Sequence, residues 1–214
     1  MADNRYRIGF IDESPEWILQ FKRFANGNFD VESFVLSENT TLEGLVNEIR
    51  SKNLDCVVVD FELKESELLQ FNGDEIVEKI REKTPYFPLF IITNKDEIDV
   101  LNQVEDNDIV YDKDLVTGDK QETFILRIKN KIEHYYFRIE HANREIERFV
   151  QLKAERALSP AEEEQLSDYY SFMEKIYPDE KVLPSNLTKP ESISQLNDFV
   201  ENTRRILEEL KKQK

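Results

Sequence analysis

The chain has 214 residues, 39% hydrophobic and 35% charged, enough for one large domain or an ordinary domain with a smaller one beside it. Of its formal charge of −16, residues 1–123 carry nearly all, with 28 Asp and Glu against 13 Lys and Arg; residues 124–214 carry 17 against 16. An acidic half joined to a neutral half argues against nucleic acid as a partner, the absence of a long apolar run against a membrane span, and the single Cys56 against a disulfide framework or a cysteine-based metal site.

In chain order, 6-YRIGFID-12 reads as a strand and 14-SPEWILQFKRFAN-26 as a helix, with Ser14 as N-cap and Pro15 at its first position. A second strand is expected at 29–36. The helix after it, 40–53, is expected to open with a capping box of Thr40 and Glu43. The third strand is 54-LDCVVVD-60, with Cys56 as a small core hydrophobe, and its helix follows at 74–84. A fourth strand at 88–94, a short helix near 96–104 and a fifth strand at 108–114 complete the first region. Strands alternating with helices at this spacing imply a doubly wound parallel α/β sheet covered on both faces. The third and fourth runs are almost continuously apolar, as central strands of such sheets are.

From residue 124 the pattern becomes helical. Ile125, Ile128, Ile132, Tyr135, Ile139, Ala142, Ile146 and Phe149 recur at alternating spacings of three and four, a heptad seam suited to a bundle, a coiled coil or a homodimer interface. Ser159, Pro160 and Glu162 open another helix carrying Leu166, Tyr169, Tyr170, Phe172, Met173 and Ile176. A proline-containing loop at 178–190 and a last helix from about Ser192 follow. The expected division is therefore 1–123 and an all-α region 124–214, the last helix of the first part running on from about 119 to 156. His134 and His141 lie off the apolar seam and read as solvated.

The chemistry gathers where an open α/β sheet binds ligands, beyond the carboxyl ends of its strands. The first strand ends on Asp12 and Glu13, the third on Asp60, the fourth on Thr93 and the fifth on Lys113. Carboxylates converging at one edge repel unless a hard divalent cation lies among them, and Mg²⁺ suits such oxygen donors and bridges to phosphate. A carboxylate so placed is a nucleophile toward a phosphoryl group, with a lysine and a hydroxyl positioned for the phosphoryl oxygens.

Residues 5–123 resemble a response-regulator receiver domain of two-component signalling. The resemblance rests on 9-GFIDE-13, 57-VVVD-60, 73-GDEIVEKIRE-82, 89-LFIITN-94 and 110-VYDKD-114 in that order, one motif per strand end apart from the helix motif. It implies a sheet of order 2-1-3-4-5 and phosphorylation on Asp60 with Mg²⁺. The metal shell it implies is Asp12, Glu13, Asp60 and the backbone carbonyl of Glu62. Thr93 becomes the switch hydroxyl and Lys113 the phosphoryl-binding cation. The implied partner is a sensor histidine kinase or phosphotransfer protein, and the implied setting is cytoplasmic, in keeping with an N-terminus, MADNRYR, that lacks an apolar signal core.

The chain departs from the family pattern in several places. The segment from Asp60 to Gly73 is long and carries Glu62, Glu65 and Glu67 without an early proline. Asp114 follows Lys113 where proline is usual, Asn94 replaces a small residue, and Val110 stands at the usual aromatic position with Tyr111 next to it. The helical region shows no helix-turn-helix, glycine-rich loop or catalytic dyad, so the expectation is a non-enzymatic regulator whose output is a contact with an effector protein or self-association. A phosphate sink or relay intermediate is the alternative. A DNA-binding regulator fits the charge poorly, and an Mg²⁺-dependent phosphatase of the haloacid-dehalogenase type lacks its second aspartate, where Glu62 stands.

Overall fold

A computed structural model describes residues 5–66, 68–95, 100, 104 and 106–178. They form two compact units: one comprises the residues up to Glu82 together with Phe87–Glu133, the other Lys83–Tyr86 and the residues from His134 onward. The first unit includes the long helix as far as Glu133. The expected last helix from Ser192, most of the segment 96–104 and Glu67 lie outside the described residues.

In the first unit, strands β1 (Tyr6–Ile11), β2 (Phe29–Ser33), β3 (Cys56–Asp60), β4 (Leu89–Thr93) and β5 (Val110–Asp112) pair in parallel in the order β2-β1-β3-β4-β5. The helices are α1 (Pro15–Ala25), α2 (Leu42–Ser51), α3 (Gly73–Lys83), the single turn α4 (Asp114–Thr117) and the long α5 (Gln121–Glu155). Strands with a side-chain period of two present two apolar faces, and both are covered. On one face Ile11, Val57, Val59, Leu89, Ile91 and Val110 pack with Leu45, Val46 and Ile49 of α2 and Ile76, Val77 and Ile80 of α3. The opposite face is aromatic. Phe10 stacks on Phe21 at 4.0 Å between centroids, and Phe24, Phe90 and Tyr111 each lie within 5.8 Å of Phe124.

Several sequence expectations shift at element ends. Ser14 caps α1 as expected, accepting the Trp17 amide. In α2 the cap is Thr41, which accepts the Gly44 amide at 3.1 Å, and the expected Thr40–Glu43 box does not form. Thr40 is already used: its hydroxyl accepts the Ser37 amide in the preceding turn. The second strand stops at Ser33, and the fifth is three residues long because a 3₁₀ turn, Asn107–Ile109, and α4 occupy its flanks. At the start of the seam the buried residue is Phe124, with Ile125 only half-buried. At 100° per residue both positions lie on the side of Ile128 and Ile132, and the ring contacts of Phe124 with Phe24, Phe90 and Tyr111 make it the buried one.

Gly73 is required by a close approach. A Cβ there would lie 2.2 Å from the Asp60 carbonyl oxygen and 2.9 Å from Val59 Cγ1. The start of α3 thus backs directly onto the residue that ends β3. Gly73→Ala is expected to lose about 1–3 kcal/mol in urea denaturation through overpacking. A variant as stable as the wild-type chain would show that this contact is not tight.

The second unit contains the rest of α5 and α6 (Pro160–Ile176). Ser159 and Glu162 form the expected capping box, reinforced by two Arg156–Glu162 hydrogen bonds of 2.9 and 2.7 Å. Ile139, Ala142, Ile146 and Phe149 are buried with Leu166, Tyr170, Met173 and Ile176. This half of the heptad seam is therefore covered by α6 of the same chain, as a helical hairpin rather than an open coiled-coil face. His134 and His141 are exposed, the latter between the rings of Phe137 and Tyr169. No helix among the described residues is long and apolar enough to cross a membrane.

Candidate functional site

The carboxyl ends of β1, β3, β4 and β5 deliver Asp12, Asp60, Thr93 and Lys113, which are 1%, 2%, 1% and 3% exposed. Lys113 sits at the start of α4, and its amide donates to the Thr93 carbonyl at 2.8 Å, which ties the end of β5 to β4. Its ammonium lies 3.0 Å from Asp12 Oδ2 and 2.9 Å from Asp60 Oδ2. Asp12 Oδ1 accepts the Ser14 amide at 2.8 Å. One cation thus serves two buried carboxylates, with Glu13 half-buried beside them.

Burial dominates the electrostatics, because a dry surrounding penalises charge. It raises Asp60 from its ordinary 3.8 to about 6, against the downward pull of Lys113 and with a further upward push from Asp12. Burial likewise raises Asp12 despite Lys113, and raises Glu13, which Asp12 pushes in the same direction. For Lys113 burial acts downward, but Asp60 and Asp12 outweigh it and hold the ammonium above its ordinary range. The cluster therefore has more negative charge than its one lysine balances.

Asp12, Glu13 and Asp60 each offer an oxygen within 4.8 Å of the others. Asp60 Oδ1 and Glu13 Oε2 are buried without a hydrogen-bond partner. Orphaned acceptors in a net-negative, oxygen-only pocket fit a hard divalent cation. The Glu62 carbonyl accepts the Glu65 amide at 3.1 Å, using one of its two lone pairs. Its carboxylate turns elsewhere: Oε2 accepts the Asn94 amide at 3.3 Å and Oε1 lies 3.4 Å from the Lys95 ammonium.

Thr93 Oγ1 accepts the Lys95 amide at 3.0 Å. Val110 is in the aliphatic core, and Tyr111 points to the aromatic face, its hydroxyl donating to the Asp108 carbonyl at 3.0 Å. The Lys113–Asp114 peptide is trans, and the Asp114 amide donates to Asp112 Oδ1 at 2.7 Å, a bond a proline could not make.

The order β2-β1-β3-β4-β5 is one of the two common doubly wound arrangements, with its ligand crevice at the carboxyl ends of the strands. No protein-family model and no curated protein matches the sequence. Solved structures do match in fold. NtrX from Brucella abortus, solved in complex with ADP, is 12% identical with a TM-score of 0.51, over 73% of this chain and 31% of that one. A CheY-like response-regulator receiver domain protein from Methanospirillum hungatei is 16% identical with a TM-score of 0.47, over 62% and 98%. The BeF3-activated DrrB receiver domain is 17% identical with a TM-score of 0.46, over 61% and 99%. The first unit shares its fold with these structures.

Residues away from the strand ends also contribute to the site. The segment after Asp60 forms a 3₁₀ turn, Leu63–Ser66, with Leu63 fully buried. Lys95 draws in both Glu62 and Glu65, at 3.4 and 2.8 Å, so the acidic loop is fastened to the end of β4. Trp17 lies with its ring beneath the Lys113 ammonium, 4.7 Å from the ring centroid. A tryptophan two residues after a helix-opening proline carries no site signal in the sequence, since its partner is 96 positions away.

Proposed function

We propose that this protein is a phospho-accepting response regulator, phosphorylated on Asp60 with Mg²⁺ by a sensor histidine kinase or a phosphotransfer protein. The observation that carries this reading is the buried Asp12–Lys113–Asp60 bridge, with contacts of 3.0 and 2.9 Å, at the strand ends of a receiver fold. Asp60 attacks the phosphorus of the donor, forming an acyl-phosphate bond as the donor's P–N or P–O bond breaks and the leaving group departs with that electron pair. Lys113 follows the charge from the carboxylate to the phosphoryl oxygens, and Thr93 supplies a hydroxyl at the adjacent strand end. Asp12, Glu13 and Asp60, with the Glu62 carbonyl, would hold an Mg²⁺, which would supply charge neutralisation for the transferred group. The receiver is not an enzyme in its own right beyond accepting and losing its own phosphoryl group.

Phosphorylation then shifts a pre-existing equilibrium at the β4 and β5 ends, and the helical region delivers the output by binding an effector or by self-association. The seam from Ile139 to Phe149 is covered by α6, so a homodimer formed through the 125–149 seam requires the hairpin to open. One observation favours the alternative of a phosphate sink without regulated output: Tyr111, the aromatic nearest the family switch position, is packed against Phe90 and Phe124 with its hydroxyl engaged.

Acetyl phosphate with Mg²⁺ should add one phosphoryl group by intact mass to the full chain and none to Asp60→Ala. Equal modification of both proteins, or of neither, would overturn the proposal. Light scattering with and without beryllofluoride tests the self-association output: a regulated self-association changes the mass, and a phosphate sink leaves it unchanged.

A further inference from the structure

Trp17 stands in a closed circuit of contacts with the candidate site. Asp12 Oδ1 accepts the Ser14 amide at 2.8 Å, and Ser14 Oγ accepts the Trp17 amide at 3.4 Å. The Trp17 ring faces the Lys113 ammonium at 4.7 Å, and that ammonium returns to Asp12 Oδ2 at 3.0 Å. Local structure sets this up. Ser14 is the N-cap of α1 and Pro15 holds its first helical position, so the backbone direction of Trp17 is settled by the cap. The indole face carries negative potential and attracts a cation, more strongly where water is excluded. Lys113 is 3% exposed. Two carboxylates hold its ammonium on one side, and the ring closes another without adding formal charge to a cluster already rich in it.

We propose that Trp17 is a positioning residue for phosphoryl-group binding, its ring holding the Lys113 ammonium over the Asp12–Asp60 pair. The inference rests on the reading of Asp60 as phospho-acceptor. A carboxylate in the place of Trp17 would also hold the lysine, but would compete with the incoming phosphoryl group and deepen the negative excess. An aliphatic residue would fill the space without attracting the charge. The ring does neither: Lys113 can move toward a bound phosphoryl oxygen while keeping its contact with the ring face.

The test uses the full chain with Trp17→Leu and Trp17→Phe. Protons held above an indole face resonate upfield through its ring current. In the metal-free wild-type chain the Lys113 ε-methylene protons should therefore be displaced upfield. The displacement should vanish in Trp17→Leu and persist in reduced form in Trp17→Phe. With Mg²⁺ present, Trp17→Leu should bind beryllofluoride about tenfold more weakly, equivalent to about 1.4 kcal/mol, and Trp17→Phe should recover most of that loss. An ordinary Lys113 shift in the wild-type chain, or a leucine variant with wild-type affinity, would overturn the proposal. If the leucine variant does not fold, the wild-type shift and the phenylalanine variant still decide it. Absence of any beryllofluoride binding by the wild-type chain counts against the phospho-acceptor reading instead, because the metal-free resonance reports the Trp17 contact separately.

Discussion

Asp60→Asn is expected to make the metal-free protein more stable at neutral pH, by about 1–3 kcal/mol, while abolishing phosphorylation. The sign follows from the raised carboxyl. Between its ordinary 3.8 and about 6 the folded protein holds a proton on Asp60 that the unfolded chain has released. Folding stability therefore falls as pH rises through that window, and above it the ionised carboxylate carries its full burial cost. An amide of the same shape removes that cost and leaves Lys113 paired with Asp12 at 3.0 Å. The advantage of Asp60→Asn should shrink on acidification and be gone below about pH 4. Paired urea melts from pH 4 to 8 without divalent cation measure it. An asparagine variant less stable than the wild-type chain at pH 7.5 would show that the Lys113–Asp60 contact outweighs burial.

Lys113→Ala should act in the opposite direction and more strongly. It removes the one cation from between two carboxylates that are 1% and 2% exposed. Breaking a buried pair from one side leaves uncompensated charge, at a cost of about 3–5 kcal/mol. The cost also depends on pH. Asp60 and Asp12 both lose the downward pull of Lys113, so each protonates at a higher pH and part of the loss is relieved in acid. The raised Lys113 contributes fully below its ordinary 10.5, and the contribution is lost as pH rises through its folded value. The gap between variant and wild type should therefore be widest from above pH 6 to about pH 10. Mg²⁺ should restore part of the stability of Lys113→Ala, because a cation among the carboxylates compensates the same charge. A variant within about 1 kcal/mol of wild type at pH 8 would show that water reaches the cluster and screens it.

The two substitutions remove opposite ends of one 2.9 Å contact, and their opposite expected signs come from the charge excess of the site. Such a pocket gives up stability when empty of cations and regains it on binding one, a common property of sites built for function rather than for packing.

Much of this was legible in the residues. Short apolar, β-rich runs located the strands, and helical spacing between them located α1 to α3. Ser14-Pro15 and Ser159-Pro160 marked two helix starts through local hydrogen bonding. The ends of β1, β3, β4 and β5 named Asp12, Asp60, Thr93 and Lys113, because a parallel α/β sheet puts all its carboxyl ends at one edge. Where local signals competed the reading slipped. Thr40 and Thr41 both carry a hydroxyl able to cap, and only the turn beginning at Ser37 decides between them. Phe124 and Ile125 both lie near the seam, and the aromatic cluster of Phe24, Phe90 and Tyr111 selects Phe124.

The sequence by itself determined the alternation of elements, the acidic character of the first half and the identity of the charged residues at the strand ends. These depend on side-chain type and on spacings within one or two turns of chain. Tertiary structure alone decided that Lys113 lies between Asp12 and Asp60 and over Trp17, that Gly73 must be bare against the Asp60 carbonyl, and that α6 covers the lower seam of α5. Each of these joins positions distant in the chain, where attraction, exclusion and burial depend on separations of a few ångströms that no local pattern encodes.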